Sequence, residues 1–355
     1  MSVFLNSRYR SLCPYVPGEQ PKDRKYLKLN TNESPFPPGP EVQTALSCAA
    51  AADLRLYEDP DNAVLKAALA QHFKELGLSA DCFCPTAGSD EALDLCFMAF
   101  AEDSIQFPDV SYGFYAVLSE LHRLDARVTP VREDFRIDPS DYQRNDRCIV
   151  LANPNAPTGL ALGETEIRAL LSRNPDHVVI IDEAYVDFGG QSALPLIREY
   201  ENLVVCRTFS KSRSLAGARI GFAAGSPPLI QDLERLRNSR NPYNISTLSQ
   251  LIGEAALREP EYYTENCRKI IGIREWTLRE LRKLGFTAAD SLGNFVFARS
   301  GQLGGRALAL ALRERGILVR HFPAERTRDY NRITIGTQAE MERLVETLAQ
   351  LLEDC

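Results

Sequence analysis

The chain has 355 residues, 44% of them hydrophobic and 25% charged, enough for a sizeable core arranged as two domains or one large α/β unit. Its formal net charge of −7 argues against nucleic acid as a partner, since such affinity comes largely from Lys and Arg neutralising phosphates. Nine cysteines occur without C-x-x-C pairs or attendant histidines (Cys82 and Cys84 form only C-x-C), so reduced thiols and no metal site are expected.

In chain order, Met1 to Arg10 lacks the apolar core of a leader. No stretch anywhere approaches the ~18 apolar residues of a membrane span. The expectation is a cytoplasmic protein with no membrane partner. Residues 1–40 are rich in Pro and Gly and read as an extended N-terminal arm. Helices are expected over Ala63–Leu76, Glu91–Phe100 and Phe114–Arg123. Short apolar runs at Cys148–Ala152, Val178–Ile181, Leu203–Cys206 and Ile220–Ala224 suit strands buried on both faces, the pattern of a parallel sheet with crossover helices. A long amphipathic helix is expected over Tyr262–Leu284, with Ile270, Ile273, Trp276, Thr277, Leu281 and Leu284 along one side. Beyond it come a strand at Asn294–Ala298, a helix at Arg306–Arg315, strands near Ile317–Arg320 and Arg332–Ile335, and a helix from Gln338. The reading is thus an arm (1–40), a large domain (41–240) with a mostly parallel sheet, and a smaller α+β domain (241–355). The boundary is placed near Asn241-Pro242-Tyr243-Asn244.

Ligands of open parallel sheets bind at the carboxyl ends of the strands. After the strand at 178–181 comes Asp182-Glu183-Ala184-Tyr185. After 203–206 comes Arg207-Thr208-Phe209-Ser210-Lys211, and after 148–152 the loop Asn153-Pro154-Asn155-Ala156-Pro157-Thr158-Gly159. A carboxylate, a lysine among hydroxyls and a stiffened Asn loop therefore converge on one sheet edge. A buried carboxylate needs a cationic partner, which a protonated pyridine nitrogen or an arginine supplies. Gly88-Ser89-Asp90-Glu91 opens a helix, with Ser89 as candidate N-cap and free N–H groups suited to phosphate.

These clusters, with Leu29-Asn30-Thr31-Asn32-Glu33-Ser34-Pro35, Tyr57-Glu58-Asp59-Pro60, Ser111-Tyr112-Gly113-Phe114-Tyr115 and Leu215-Ala216-Gly217-Ala218-Arg219, resemble the fold-type I pyridoxal-phosphate aminotransferases over nearly the whole chain. The Asn32 segment and the Arg320/Arg332 pair are most similar to the histidinol-phosphate branch of that family. The resemblance implies a pyridoxal 5'-phosphate cofactor carried by Lys211 as a Schiff base, with Lys211 shuttling the proton as well. It implies that Asp182 pairs with the pyridine nitrogen, Tyr185 with the ring hydroxyl, and that Tyr112 stacks on the ring. Ser89, Asp90, Thr208, Ser210 and Arg219 would surround the cofactor phosphate, joined by Tyr57 of a neighbouring subunit in a homodimer. Arg332 and Arg320 would take the charged ends of the substrates, with Tyr15 from the partner's arm and Asn32 helping to enclose them.

One position departs from the family pattern. The Asn that usually precedes Pro-Thr-Gly and meets the ring hydroxyl is Ala156 here, so the contact is either lost, with Tyr185 carrying the load, or supplied by Asn153 or Asn155, of which Asn155 is the expected one. The activity implied is transamination between L-histidinol phosphate and 2-oxoglutarate. The alternatives are a threonine-phosphate decarboxylase-like lyase of cobalamin synthesis and an aromatic or general amino-acid aminotransferase. The aminotransferase-like effector module of a transcription regulator would need a DNA-binding extension, whereas only an arm precedes Asn30, and it would not need both Lys211 and Asp182.

Overall fold

A computed structural model describes residues 2, 4–49, 51–143 and 146–353. The ends of the expected outer domains, Met1 and Cys355, lie outside the described residues. Along the chain the elements are β1 (Leu27–Lys28), α1 (Pro40–Cys48), α2 (Ala63–His72), β2 (Phe83–Thr86), α3 (Ser89–Phe100), β3 (Ser104–Pro108), α4 (Phe114–His122) and β4 (Asp125–Thr129). Then follow β5 (Cys148–Ala152), α5 (Glu164–Arg173), β6 (Val179–Asp182), β7 (Leu203–Thr208), β8 (Gly221–Gly225), α6 (Pro227–Arg240), α7 (Thr247–Arg258) and α8 (Pro260–Lys283). The C-terminal part comprises β9 (Thr287–Ala288), β10 (Phe295–Arg299), α9 (Gly305–Glu314), β11 (Ile317–Leu318), β12 (Arg320–His321), β13 (Asn331–Thr334) and α10 (Gln338–Glu353).

The main sheet has seven strands in the order β2-β8-β7-β6-β5-β3-β4. Its strands alternate between two apolar layers. Ile149, Leu151, Val179, Ile181, Leu203 and Val205 pack with Leu65, Leu69 and Leu170 on one face. Cys148, Val150, Ile180, Val204 and Cys206 pack with Leu93, Phe97 and Tyr115 on the other. Both faces are therefore sealed by helices, which is why these strands read as continuous apolar runs. The sheet is parallel except at β8, which runs antiparallel to both β7 and β2. Only residues 209–220 join β7 to β8, and they hold no crossover helix, so the chain turns back instead of crossing over.

The expected boundary near Asn241–Asn244 moves. Ile252, Ala255, Ala256 and Leu257 of α7 belong to the core under the main sheet. It is α8 that passes into the second core, where Ile270, Leu278 and Leu281 meet β10, β13, α9 and α10. The arm contributes too. Leu27 and Leu29 are buried in that second core, and β1 pairs in parallel with β11. The strand expected over Ile317–Arg320 is split, with β11 pairing to β1 and β12 to β13. Among the described residues no helix is long and apolar enough to cross a membrane, and no cluster of His, Cys, Asp or Glu suits a metal ion. The eight described cysteines are all free.

Candidate active site

A cavity of about 240 Å³ opens at the carboxyl ends of β5, β6 and β7, where the arm and the second domain close over the main sheet. Asp182, the last residue of β6, lies in it between Ala152 of β5 and Cys206 of β7. Asp182 is buried, and burial pushes its carboxyl up to about 6. Its partners are the Tyr115 hydroxyl, which donates at 2.8 Å, and the Ala184 N–H, which donates at 3.1 Å. None of the largest electrostatic influences on it is a cation.

Lys211 follows β7, and its Nζ donates to the Thr31 carbonyl at 3.2 Å. Burial, assisted by the nearby Arg332 guanidinium, brings its ammonium down to about 8, so a useful fraction is neutral near physiological pH. The hydroxyls before it are tied together: Thr208 donates to Ser210 Oγ at 2.9 Å, and the Ser210 N–H donates back to Thr208 Oγ1 at 3.1 Å.

The helix start is arranged differently from expectation. Gly88, with φ of +86°, caps α3, and Ser89 is its first residue with no capping bond. Glu91 closes the turn, its carboxylate accepting from the Ala87 N–H. Ser89 is thus left facing the cavity beside Asp90. Arg219, itself at a positive φ of 53°, donates to Asp90 Oδ2 at 3.2 Å. The Tyr112 hydroxyl donates to the other Asp90 oxygen at 3.0 Å. A Cβ at Gly88 would stand 2.6 Å from Arg219 Nη2, so this glycine is what lets the guanidinium approach the helix N-terminus.

At the far side, Arg320 and Arg332 are directly opposed across β12 and β13. Neither has a carboxylate partner among the described residues. Arg332 Nη2 donates to the Asn30 carbonyl at 3.2 Å, while its Nε and the Asn30 Oδ1 are buried with no hydrogen-bond partner. Arg320 donates to the Val16 and Pro17 carbonyls at 2.8 and 3.0 Å.

The cavity brings together Tyr15, Ser89, Asp90, Tyr112, Asp182, Tyr185, Thr208, Ser210, Lys211, Arg219, Arg320 and Arg332. Asn32 stands just behind them at a positive φ of 55°, its amide donating to the Tyr185 hydroxyl at 2.9 Å. Two expectations are corrected. Tyr15 belongs to the same chain's cavity, not a partner's, lying edge-on to Tyr112 with ring centroids 5.8 Å apart. Asn155 does not substitute for the missing Asn. Its amide is spent inside the loop on the Val110 carbonyl and Thr158, its oxygen accepts from Ser111, and Ala156 faces the cavity in its place. Asn153 is likewise consumed by Leu162. Tyr57 is outside this chain's cavity, 79% exposed and stacked on Tyr243 with centroids 4.4 Å apart. Two groups were missed by sequence reasoning, Tyr115 and the Thr31 carbonyl. Tyr115 follows Tyr112 by three residues, and its amide turns back onto the Tyr112 carbonyl at 3.1 Å, a spacing that could have placed the two rings together.

The family described as aminotransferase class I and II matches residues 24–348. The chain belongs to the class I and II aminotransferases. A histidinol-phosphate aminotransferase of Brachyspira hyodysenteriae is 44% identical over 357 residues, spanning 100% of both chains. One of Marinomonas sp. is 46% identical, covering 99% of this chain and 100% of its own. The solved histidinol-phosphate aminotransferase of Sinorhizobium meliloti in complex with pyridoxal-5'-phosphate superposes with a TM-score of 0.83 at 28% identity, covering 93% of this chain and 92% of that one.

Enzymes of this family depend on pyridoxal phosphate, and the cavity of this aminotransferase fits that group. Asp182 is a buried carboxylate with no ion-pair partner among the described residues, Gly88 and Arg219 shape an anion cradle at the start of α3, and Lys211 is a half-buried amine with a lowered pKa. The orphaned Arg332 Nε and Asn30 Oδ1 leave polar capacity for a substrate beside it.

Proposed function

We propose that the chain transfers the amino group of L-histidinol phosphate to 2-oxoglutarate as a cytoplasmic homodimer. The observation that carries this reading is the opposed Arg320/Arg332 pair, two cations without carboxylate partners among the described residues, lining the cavity that holds Lys211. Like charges side by side call for an anion, and planar guanidinium groups serve a phosphate monoester and a dicarboxylate equally. The names of relatives above 40% identity over the full length support the same substrate.

The pyridoxal phosphate, when bound, supplies an electron sink for the bonds to the substrate's α-carbon. Lys211 would hold it and, once freed, move the proton of that carbon. Its low pKa leaves a neutral amine competent to accept. Asp182 would take the ring nitrogen, restoring the carboxylate's missing cation. The hydroxyl of Tyr185, oriented by Asn32, is the donor left for the ring hydroxyl once Asn155 is set aside. The first-turn N–H groups of α3, Ser89, Thr208, Ser210 and Arg219 would bind the cofactor phosphate, and Tyr112 would cover the ring. Arg320 and Arg332 would hold the substrate's anionic groups under Tyr15. Tyr57, exposed in one chain, would complete the neighbouring chain's phosphate site.

The purified holoenzyme is mixed with L-histidinol phosphate without an oxo acid. Loss of the visible cofactor band with growth of the near-ultraviolet band of the aminated cofactor is expected. A visible band that persists with this donor rejects the substrate.

A further inference from the structure

Tyr115 is fully buried in α4, packed against the rings of Phe97 and Phe107 with centroids 6.4 and 6.0 Å away. A phenylalanine would fill that space equally well. What phenylalanine lacks is the hydroxyl, which has Asp182 Oδ2 as its partner at 2.8 Å. The same ring stands edge-on to Tyr112, centroids 5.7 Å apart at 85°. One side chain therefore touches both the carboxylate at the end of β6 and the aromatic residue over the cavity.

The acidic groups around Asp182 are Asp90 from α3, Glu183 just past its own strand, Cys206 on β7, Tyr112 just before α4, Tyr115 within it, and Tyr185, while the cations Lys211, Arg219 and Arg332 line the same cavity. None of the cations is among the largest electrostatic influences on Asp182, and each of the acids that ionises works against its charged form. Against them stand two donors, the Ala184 N–H and the Tyr115 hydroxyl. The backbone donor is common to any residue at 184. The hydroxyl is the one side-chain donor to this carboxylate among the described residues.

We propose that Tyr115 is a positioning residue that holds the Asp182 carboxylate, through Oδ2, oriented and ionised for the pyridine nitrogen of the cofactor. A tyrosine suits the task because it donates without adding charge. Its own hydroxyl is pushed far up by burial and by Asp182, so it keeps its proton throughout the working range. The proposal rests on the reading of Asp182 as the partner of that nitrogen.

The test uses cofactor-free full-length protein, titrated at equilibrium with pyridoxal phosphate and with the analogue whose ring nitrogen is replaced by C–H. In Tyr115→Phe, affinity for pyridoxal phosphate should fall about tenfold, the worth of one hydrogen bond to a charged group, while affinity for the analogue stays put. Equal losses for the two compounds would mean that the hydroxyl serves packing alone and would overturn the proposal. Asp182→Asn separates the two levels of inference. If it abolishes the preference for pyridoxal phosphate while Tyr115→Phe keeps it, only the role of Tyr115 falls. If Asp182→Asn itself keeps the preference, Asp182 is not the nitrogen's partner and the reading of the site falls first. Should the Phe variant not fold, Tyr115→His retains a neutral donor: retention of the preference supports the role, and its loss overturns it.

Discussion

Lys211 and Asp182 line one cavity, and removal from water moves both toward their neutral forms, the amine down to about 8 and the acid up to about 6. For Lys211 the consequence is kinetic. The neutral amine is the nucleophile, so the rate of covalent cofactor capture by the cofactor-free protein should rise about tenfold from pH 7 to pH 9, bending near pH 8. Stopped-flow absorbance checks this, and a flat profile would mean that proton loss from Lys211 is not limiting. Lys211→Ala should abolish turnover yet still bind some cofactor non-covalently. For Asp182 the consequence is thermodynamic. Its folded pKa lies above the unfolded one, so the folded state binds the extra proton at low pH. The associated stability is full below about pH 4 and is lost as pH climbs through 6. The carboxylate then costs the cofactor-free protein roughly 3 kcal/mol at neutral pH. Thermal melts of cofactor-free Asp182→Asn at pH 5 and pH 8 should show a smaller stability loss with rising pH than wild type. An unchanged difference would place the proton elsewhere.

The elements that carry the chemistry were readable where burial leaves a pattern. Cys148–Ala152 is apolar throughout because helices cover both faces of β5, and the structure places the strand there. Strands β2, β3 and β4 left no such trace. Phe83–Thr86 is four residues containing a proline, and Asp125–Thr129 is an edge strand exposed along most of its length. The reversed direction of β8 is not encoded in Ile220–Ala224. It is encoded in the lack of a helix across 209–220. Lys211 and Asp182 could be singled out because their residue types at strand ends suggest the chemistry proposed for them and Arg219 because of the family resemblance, whereas the Tyr115 hydroxyl looks like any core aromatic. The fate of Asn155 hinged on which way one amide turned. Glycine marks the tightest join. A Cβ at Gly221 of β8 would meet backbone atoms of Gly88 and Ser89 at 2.6 and 2.7 Å. Gly221→Ala should therefore destabilise by about 2 kcal/mol, measured by urea unfolding. Gly88→Ala strikes the Arg219 guanidinium instead and should weaken pyridoxal phosphate binding at least ~tenfold by removing a charge-assisted contact. Wild-type affinity in Gly88→Ala would remove Arg219 from the phosphate site.

Across the whole molecule, the cavity is roofed by the chain's two ends. The arm lays Tyr15 over it, and the second domain brings Arg320, whose guanidinium grips the arm by the Val16 and Pro17 carbonyls. Leu46, Leu54, Leu56, Tyr57 and Tyr243 are exposed in the single chain. If each site borrows Tyr57, two defective chains can repair one another. Lys211→Ala and Tyr57→Ala chains, each inactive or impaired alone, should on co-refolding regain about a quarter of the wild-type sites, since half the dimers are mixed and each has one intact site. Recovery no greater than the sum of the separate variants would assign Tyr57 no role across the interface. The hairpin formed by β7 and β8 carries a further implication for how such a chain tolerates change in length. Lys211 stands three residues past one strand end and Arg219 two before the next, with Thr208 and Gly221 locked in register between them. In the proposed reading of the site the segment is a ruler, its two handholds, Lys211 and Arg219, set apart by the paired strand ends. Loops elsewhere can lengthen or shorten without disturbing that span. An insertion between Ser212 and Ala218 would leave the sheet intact and the ruler wrong.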